Sequence, residues 1–326
     1  IDREDCFSEA LPFSRYIEWI DKKDMLAANH WWQKYLLGYK GEVFWEQQTK
    51  DCTINTKEIF RFSLNKEKTN QIINVASLNK TTSYVIIETL FALVLHSLFL
   101  SKDMILGIVK NGRDCGLKGI DKAIGLYINT TLKRFIWDKE LKFNDVISLS
   151  INENKDINNF NYFPLYQIDT NPNIRKELLY YIPIIVYNNE SFEETIYNSL
   201  ITEDRRYNVS GISSYEETNY VFHTSIHANK DGSIEFIIKY NNAIFTREYI
   251  QLIETKMNES IPLIEKNMTI GEVLGSFTQR DMKPEACNNS IGIFASFTIE
   301  PIKNVLNFWL KKHQLNMNME YLAYNY

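Results

Sequence analysis

Residues Lys110 to Trp137 read KNGRDCGLKGIDKAIGLYINTTLKRFIW. Four of the twelve glycines in a chain of 326 residues fall here, at Gly112, Gly116, Gly119 and Gly125. Glycine is favoured where backbone takes positive φ or where another group approaches it closely. The stretch is therefore either an ordinary loop or a place where backbone comes near something, and spacing leaves both readings open. Gly112, Gly116 and Gly119 lack the strand-to-helix context and spacing of a phosphate loop.

The flanks of this stretch set the fold class. Upstream, Met104 to Val109 is a short apolar run that fits a buried strand. Before it, Tyr84 to Leu100 is apolar but interrupted by Glu88, Thr89, His96 and Ser97, which favours a helix buried in a large core over a membrane span. Thr81 to Ser83 open that helix. Asn65 caps a preceding one with Ile72, Val75 and Leu78 on one face. In Phe60 to Leu64 apolar and polar residues alternate, the mark of a half-buried strand. Further upstream, Phe13 to Tyr39 suits a loop followed by an amphipathic helix ending at Gly38.

Downstream, Leu132 to Trp137 reads as a strand, Phe143 to Lys155 as a helix and Ile182 to Tyr187 as another strand. Tyr220 to Ala228 and Ser233 to Tyr240 alternate and are joined by Asn229, Lys230, Asp231 and Gly232, a hairpin with glycine where positive φ is needed. Thr246 then caps a helix carrying Ile250, Ile253 and Met257. Strands and helices mix without strict alternation, so the expected class is α+β with a mixed sheet. The polar run Thr278 to Ser290 marks a boundary. We therefore expect a domain over 1–278, a linker over 279–290 and the truncated start of an α/β domain over 291–326. In that last part Ile291 to Phe297 reads as a strand and Pro301 to His313 as a helix, with the chain stopping before a second strand.

Composition narrows the function classes. Hydrophobic residues make up 44% and charged residues 24%, ordinary globular values. A net charge of −5 with scattered lysines offers no basic face for a phosphate backbone, which excludes nucleic acid as an expected partner. Cys6, Cys52, Cys115 and Cys287 lie far apart with no C-x-x-C pair, the pattern of reduced thiols in a cytoplasmic protein. The chain opens on Ile1 and carries no secretory leader, so it reads as a fragment of something longer, with no membrane association expected.

Catalytic patterns are sparse. His223 and His227 form an H-x-x-x-H pair, but in an alternating strand they stand ~13 Å apart, beyond joint coordination of one ion. No metal site is expected. The other histidines, His30, His96 and His313, are isolated in sequence, and no H-E-x-x-H, G-x-S-x-G or Walker A pattern occurs.

Five elements, taken in order, resemble the condensation domains of nonribosomal peptide synthetases. Phe13 to Trp19 is similar to the family's Y-x-D-Y/F-A-x-W element, with Arg15 in place of aspartate. Asn111, Gly112, Arg113 and then Ile124 to Thr130 resemble its G-R and I/V-G-x-F-V-N-T motif. Phe163 to Ile168 is similar to P-L-Y-x-I, with Asn159 or Asn161 near where histidine often stands. Pro183 to Asn189 resembles L-L-V-F-E-N, and Glu217 to Tyr220 resembles E-x-T-N-Y-P-L. The resemblance covers about Phe13 to Phe277.

It implies a chloramphenicol acetyltransferase-like fold of two lobes with a tunnel, in which carrier-tethered donor and acceptor meet from opposite sides. This chain corresponds to the carboxy-terminal lobe. The family's H-H-x-x-x-D-G motif, whose second histidine positions or deprotonates the acceptor amine, does not occur here; the missing amino-terminal lobe would supply it. The resemblance implies peptidyl or acyl carrier domains as partners, substrates held on their phosphopantetheine, and no cofactor bound directly. It places Arg113, Gly125, Asn129 and Thr130 along the substrate tunnel or its crossing loop, with Arg113 anchoring the loop and no catalytic residue in the chain. The 110–113 and 125–130 segments follow the condensing rather than the epimerising pattern, and a non-catalytic carrier-docking module or degenerate remnant is the competing reading. Phe294 to Pro301 and Asn307 to Leu310 resemble the start of the haloacid-dehalogenase-like glyceryl-loading proteins of polyketide assembly lines, which implies a hybrid peptide and polyketide synthase.

Overall fold

A computed structural model of the chain describes residues 11–39, 57–99, 103–168, 182–188, 220–277, 290–295 and 318–323. It divides into two units, Ile1–Phe277 and Thr278–Tyr326.

In the first unit the elements run α1 (Phe13–Asp21), α2 (Met25–Tyr35), β1 (Lys57–Leu64), α3 (Lys66–Leu78), α4 (Ser83–Phe99), β2 (Asp103–Lys110), β3 (Asn129–Ile136), α5 (Phe143–Asn159), α6 (Leu165–Ile168), β4 (Ile184–Asn188), β5 (Phe222–Ala228), β6 (Ile234–Asn241), α7 (Arg247–Glu265) and α8 (Ile270–Ser276). Six strands form one sheet in the order β1-β6-β5-β4-β2-β3. The central trio β2, β4 and β5 is parallel, and the flanking pairs β1/β6, β5/β6 and β2/β3 are antiparallel. This is the mixed sheet flanked by helices that the patterning predicts.

Local chemistry sets the helix ends. The Asn65 side chain accepts a hydrogen bond from the Lys68 N–H and the Thr246 hydroxyl accepts one from Tyr249 N–H, each satisfying an orphan donor of a first turn. At α8, Thr269 and Glu272 form a reciprocal capping box. The β5–β6 hairpin turns through Gly232 at φ +84°, with Asp231 accepting from the Ser233 N–H. Ile72 and Val75 from α3 and Ile250, Ile253 and Met257 from α7 are buried against the sheet and α4. On the far side Trp32 of α2 and Leu36 just beyond it meet Ile105, Leu132, Ile184 and Phe163 in a second cluster.

Helix α4 is buried along almost its whole length, as an apolar run of that length in a core must be. Among the described residues no single helix is long and apolar enough to cross a membrane.

Four expectations change. Phe13 to Trp19 is helical rather than a loop, because Pro12 supplies an extended N-cap, Arg15 pairs with Glu18 one turn on, and Tyr16 finds a buried partner surface. Leu78 is 74% exposed, since it ends α3 and the turn at Asn79 directs the chain elsewhere. β3 begins at Asn129, not Leu132, because the ladder with β2 continues to the pair Lys110 and Asn129. In the second unit β7 (Ser290–Ala295) pairs in parallel with β8 (Asn318–Ala323), so a second strand is completed within the chain. The helix expected over Pro301 to His313 lies outside the described residues, as do Cys6, Cys52, Cys287, Asn189 and Glu217 to Asn219.

Candidate functional site

The glycine-rich stretch connects β2 to β3 and folds back on α1. Asn111 accepts a hydrogen bond from the Arg113 N–H at 3.0 Å, closing a turn at the end of β2. Gly112 sits at φ +66°, and a Cβ there would lie 1.8 Å from the Tyr127 carbonyl oxygen. Backbone does come close to something, and that something is the loop's own returning limb. Gly119 at φ +86° opens a short 3-10 turn, Ile120–Lys122.

Arg113 holds the two limbs together. Its Nη1 donates to the Ile120 carbonyl and, at 3.0 Å, to the Ala123 carbonyl, while the guanidinium lies 4.5 Å from the Tyr127 ring centroid. Gly125 has ordinary φ, yet a Cβ there would lie 2.3 Å from Phe13 Cδ2. Phe13 and Tyr16 of α1 meet Tyr127 edge-on at 5.3 and 4.8 Å, and Ile120 and Ala123 complete a small core. Burial raises the Tyr16 hydroxyl's pKa, with Cys115 and Asp114 adding to the effect. The first two sequence elements of the resemblance are thus one packed assembly.

Tyr127 is buried, whereas Ile124, Leu126 and Ile128 are 88%, 76% and 62% exposed. Three large apolar side chains in a row facing outward are unusual for a loop so tightly tied on its other side.

The remaining elements converge where this limb enters β3. The Asn129 amide donates to the carbonyls of Asn161 at 2.6 Å and Phe163 at 3.1 Å, and its oxygen accepts from the Thr130 N–H. The Thr130 hydroxyl shares a hydrogen bond with Tyr220. Gly107 N–H donates to the Pro183 carbonyl at 2.9 Å, and the absence of a side chain at Gly107 leaves room for Ile184, joining β4 to β2. Arg113, Gly125, Asn129 and Thr130 therefore occupy one continuous stretch, and the polar groups of the first, third and fourth are engaged within the protein.

A second set of polar residues, not singled out from sequence, lies on the α4 side of β2 and β3. Lys133 is buried and donates to Glu88 and, at 2.6 Å, to the Ser150 hydroxyl, which also bonds to Thr89. Burial, with the Glu88 charge next, raises the Tyr84 pKa well above the usual phenol range. Lys110, last residue of β2, places its ammonium 5.8 Å from the Tyr84 ring centroid, and Tyr84 packs edge-on against Tyr187 of β4 at 4.9 Å. The legible signal was Glu88, a carboxylate interrupting an apolar helix. Its partner could not be read from spacing. At the sheet edge Tyr35 accepts from the Arg134 N–H of β3 and donates to Glu153, while Arg134 forms a bidentate pair with Asp103.

His223 and His227 lie in β5 on the strand positions expected, and among the described residues no group of three or more histidine, cysteine or acidic side chains could hold a metal ion.

The sequence pattern of the Condensation domain family matches residues 5–269. Gramicidin S synthase 2 of Brevibacillus brevis is 26% identical over 259 residues, which is 78% of this chain and 6% of that protein. Surfactin synthase subunit 3 of Bacillus subtilis is 23% identical over 257 residues, 78% of this chain and 20% of that protein. The chain thus spans a small part of the relatives it matches. The condensation domain from Monacolin K polyketide synthase MokA superposes with a TM-score of 0.59 at 11% identity, covering 79% of this chain and 61% of that one. The first condensation domain of the CDA synthetase gives 0.59 at 10% identity, covering 82% and 58%. Fold, motif order and family pattern agree: the chain belongs to the condensation-domain family of nonribosomal peptide synthetases.

Proposed function

We propose that this chain is the carboxy-terminal lobe of a domain that joins a carrier-bound acyl or peptidyl thioester to a carrier-bound acceptor amine, both borne on phosphopantetheine arms. The observation that carries the reading is the match over residues 5–269 combined with the loop that Arg113, Gly112 and Gly125 hold in shape. In this reading the exposed row Ile124, Leu126 and Ile128 is the face that the amino-terminal lobe covers. That lobe, from residues outside this sequence, supplies the H-H-x-x-x-D-G histidine. Covering three large aliphatic side chains stabilises the joined lobes by several kcal/mol, at roughly 1.5–3 kcal/mol for each fully buried side chain.

The chemistry divides accordingly. The acceptor amine attacks the donor thioester carbonyl, the carbon–sulfur bond breaks, and the amine proton passes through the histidine to the departing sulfur, which leaves as the thiol of the donor arm. This lobe contributes a wall that aligns the two thioesters, an effect that matters because orientation supplies much of the acceleration in bimolecular acyl transfer. Asn129 and Thr130 act by positioning, since their side chains brace β3 against the Asn161–Phe163 turn and Tyr220. The parallel pair β7/β8 after the domain supports a following α/β unit, and the resemblance of Phe294 to Pro301 and Asn307 to Leu310 to the glyceryl-loading proteins carries the reading of a hybrid peptide and polyketide synthase.

Loaded carrier proteins test the reading. The 326-residue chain alone forms no product, because the proton-transfer group, worth ~10²–10⁴ in rate, is absent from it. The full-length natural protein forms an amide. Turnover by the isolated chain above a protein-free control, or none by the full-length protein with any carrier-bound pair, would sink it. In the latter case a carrier-docking role without catalysis takes its place.

A further inference from the structure

Lys110 occupies a particular place in the sheet. Strands β2, β4 and β5 run parallel, and in sheets with parallel strands ligands bind outside their carboxyl ends. Lys110 is the carboxyl-terminal residue of β2, directly across from Asn129 and three residues before Arg113.

Two lysines share this face, and their surroundings differ. Lys133 is fully buried and compensated by Glu88 and Ser150. Lys110 is half-buried, and among the described residues no carboxylate lies within ion-pair distance of it. Glu88 accepts from Lys133 through Oε1, its Oε2 is buried without a hydrogen-bond partner, and it acts on Lys110 only through space. Asp114 also acts from a distance and accepts a hydrogen bond from Asn161. What the ammonium does meet is the face of Tyr84, braced by Tyr187. All three side chains keep part of their surface exposed.

A partly desolvated cation gains from an arriving anion, because the charge has already lost much of its water. Desolvation also lowers the Lys110 pKa, with Lys133 contributing and Glu88 and Asp114 opposing.

We propose that Lys110 contacts the substrate of this domain, holding an anionic group that the carrier-borne chain brings with it, against the aromatic wall of Tyr84 and Tyr187. Two sources share that chemistry: a carboxylate on the acyl or aminoacyl group, and the phosphate of the pantetheine arm. The proposal rests on the condensation reading for the class of ligand, though not on turnover.

Binding tests it directly. Glutamyl and glutaminyl groups are attached through non-hydrolysable thioethers either to holo-carrier protein or to pantetheine lacking the phosphate. These four ligands are titrated against the full-length protein, Lys110→Met and Lys110→Arg. Lys110→Met weakens at least one anion-bearing ligand by roughly 10- to 100-fold, the range of a charge-assisted hydrogen bond. It leaves glutaminyl pantetheine within about twofold, and Lys110→Arg retains most of the affinity. A loss confined to glutamyl ligands assigns the carboxylate; a loss confined to holo-carrier ligands assigns the phosphate. Unchanged affinity for all four ligands overturns the proposal, as does an equal loss for all four. Should Lys110→Met fold poorly by melting temperature, Lys110→Gln carries the same comparison. Condensation is measured on the same preparations: absent product with Lys110-dependent binding refutes the condensation reading alone, while normal product without Lys110 dependence refutes this inference alone.

Discussion

Gly112→Ala and Gly116→Ala form a matched pair that isolates the close approach inside the β2–β3 loop. Both glycines have positive φ, +66° and +78°, so alanine at either site meets the same conformational penalty, roughly 1–2 kcal/mol for a non-glycine residue in the left-handed region. Their surroundings differ completely. At Gly116 nothing lies within 4 Å of the added Cβ, whereas at Gly112 it would lie 1.8 Å from the Tyr127 carbonyl oxygen, far inside the 3.4 Å where ordinary contact begins. Backbone cannot rotate away as a side chain can. Either the Arg113 hydrogen bonds to Ile120 and Ala123 break or Tyr127 leaves its place between Phe13 and Tyr16. Losing those contacts adds about 2–4 kcal/mol, from one or two charge-assisted hydrogen bonds and an aromatic contact. Amide hydrogen exchange over residues 111–128 is the assay, since it reads local opening free energies. Gly116→Ala raises exchange by about tenfold; Gly112→Ala raises it by roughly 300- to 10,000-fold and lowers condensation by the full-length protein. Equal effects of the two substitutions would refute the packing described for this loop.

The other perturbations address the buried groups. Lys133→Met alone, or Glu88→Leu alone, leaves an uncompensated buried charge and destabilises by about 3–5 kcal/mol, while the double variant recovers most of that loss; chemical denaturation giving additive losses would contradict the pairing. Asn129→Ala lowers turnover of the full-length protein more than it lowers carrier binding, and equal losses in both would reduce Asn129 to a folding role. Burial raises the Glu153 pKa, against the lowering effect of the Tyr35 hydrogen bond and Lys133. The folded state therefore binds the Glu153 proton more tightly than the unfolded state, and this group's contribution to stability falls as pH rises from the ordinary glutamate range to the raised folded value. Glu153→Gln removes that fall, so its stability relative to wild type climbs with pH across that window; a flat difference in melting temperature would refute the assignment.

Much of the fold is legible in local pattern because local chemistry decides it. Asn65, Thr246 and Gly232 mark helix starts and a hairpin through hydrogen bonds and φ requirements set within a few residues. The expectation failed where tertiary contact overrides local signal. Phe13 to Trp19 becomes a helix because Tyr16 can bury against Tyr127 more than a hundred residues away, and β3 starts early because β2 offers a partner at Lys110. The candidate site divides the same way. The glycines and the I-G-x-Y-I-N-T segment are visible as a motif, whereas Glu88 and Lys133, Tyr35 and Glu153, or Lys110 and Tyr84 carry no spacing signature.

By itself the sequence determined the class of fold, the order of its elements and, through the resemblance of its motifs, the family, since these depend on residue periodicity and on residue types at short range. Only the tertiary structure decided what Gly112 and Gly125 are for. Gly112 makes room for the Tyr127 carbonyl and Gly125 for Phe13. Arg113 ties the two limbs, and the result turns Ile124, Leu126 and Ile128 outward. Such approaches involve atoms brought together by the sheet and α1, and van der Waals exclusion acts on distances in space that no spacing in sequence encodes.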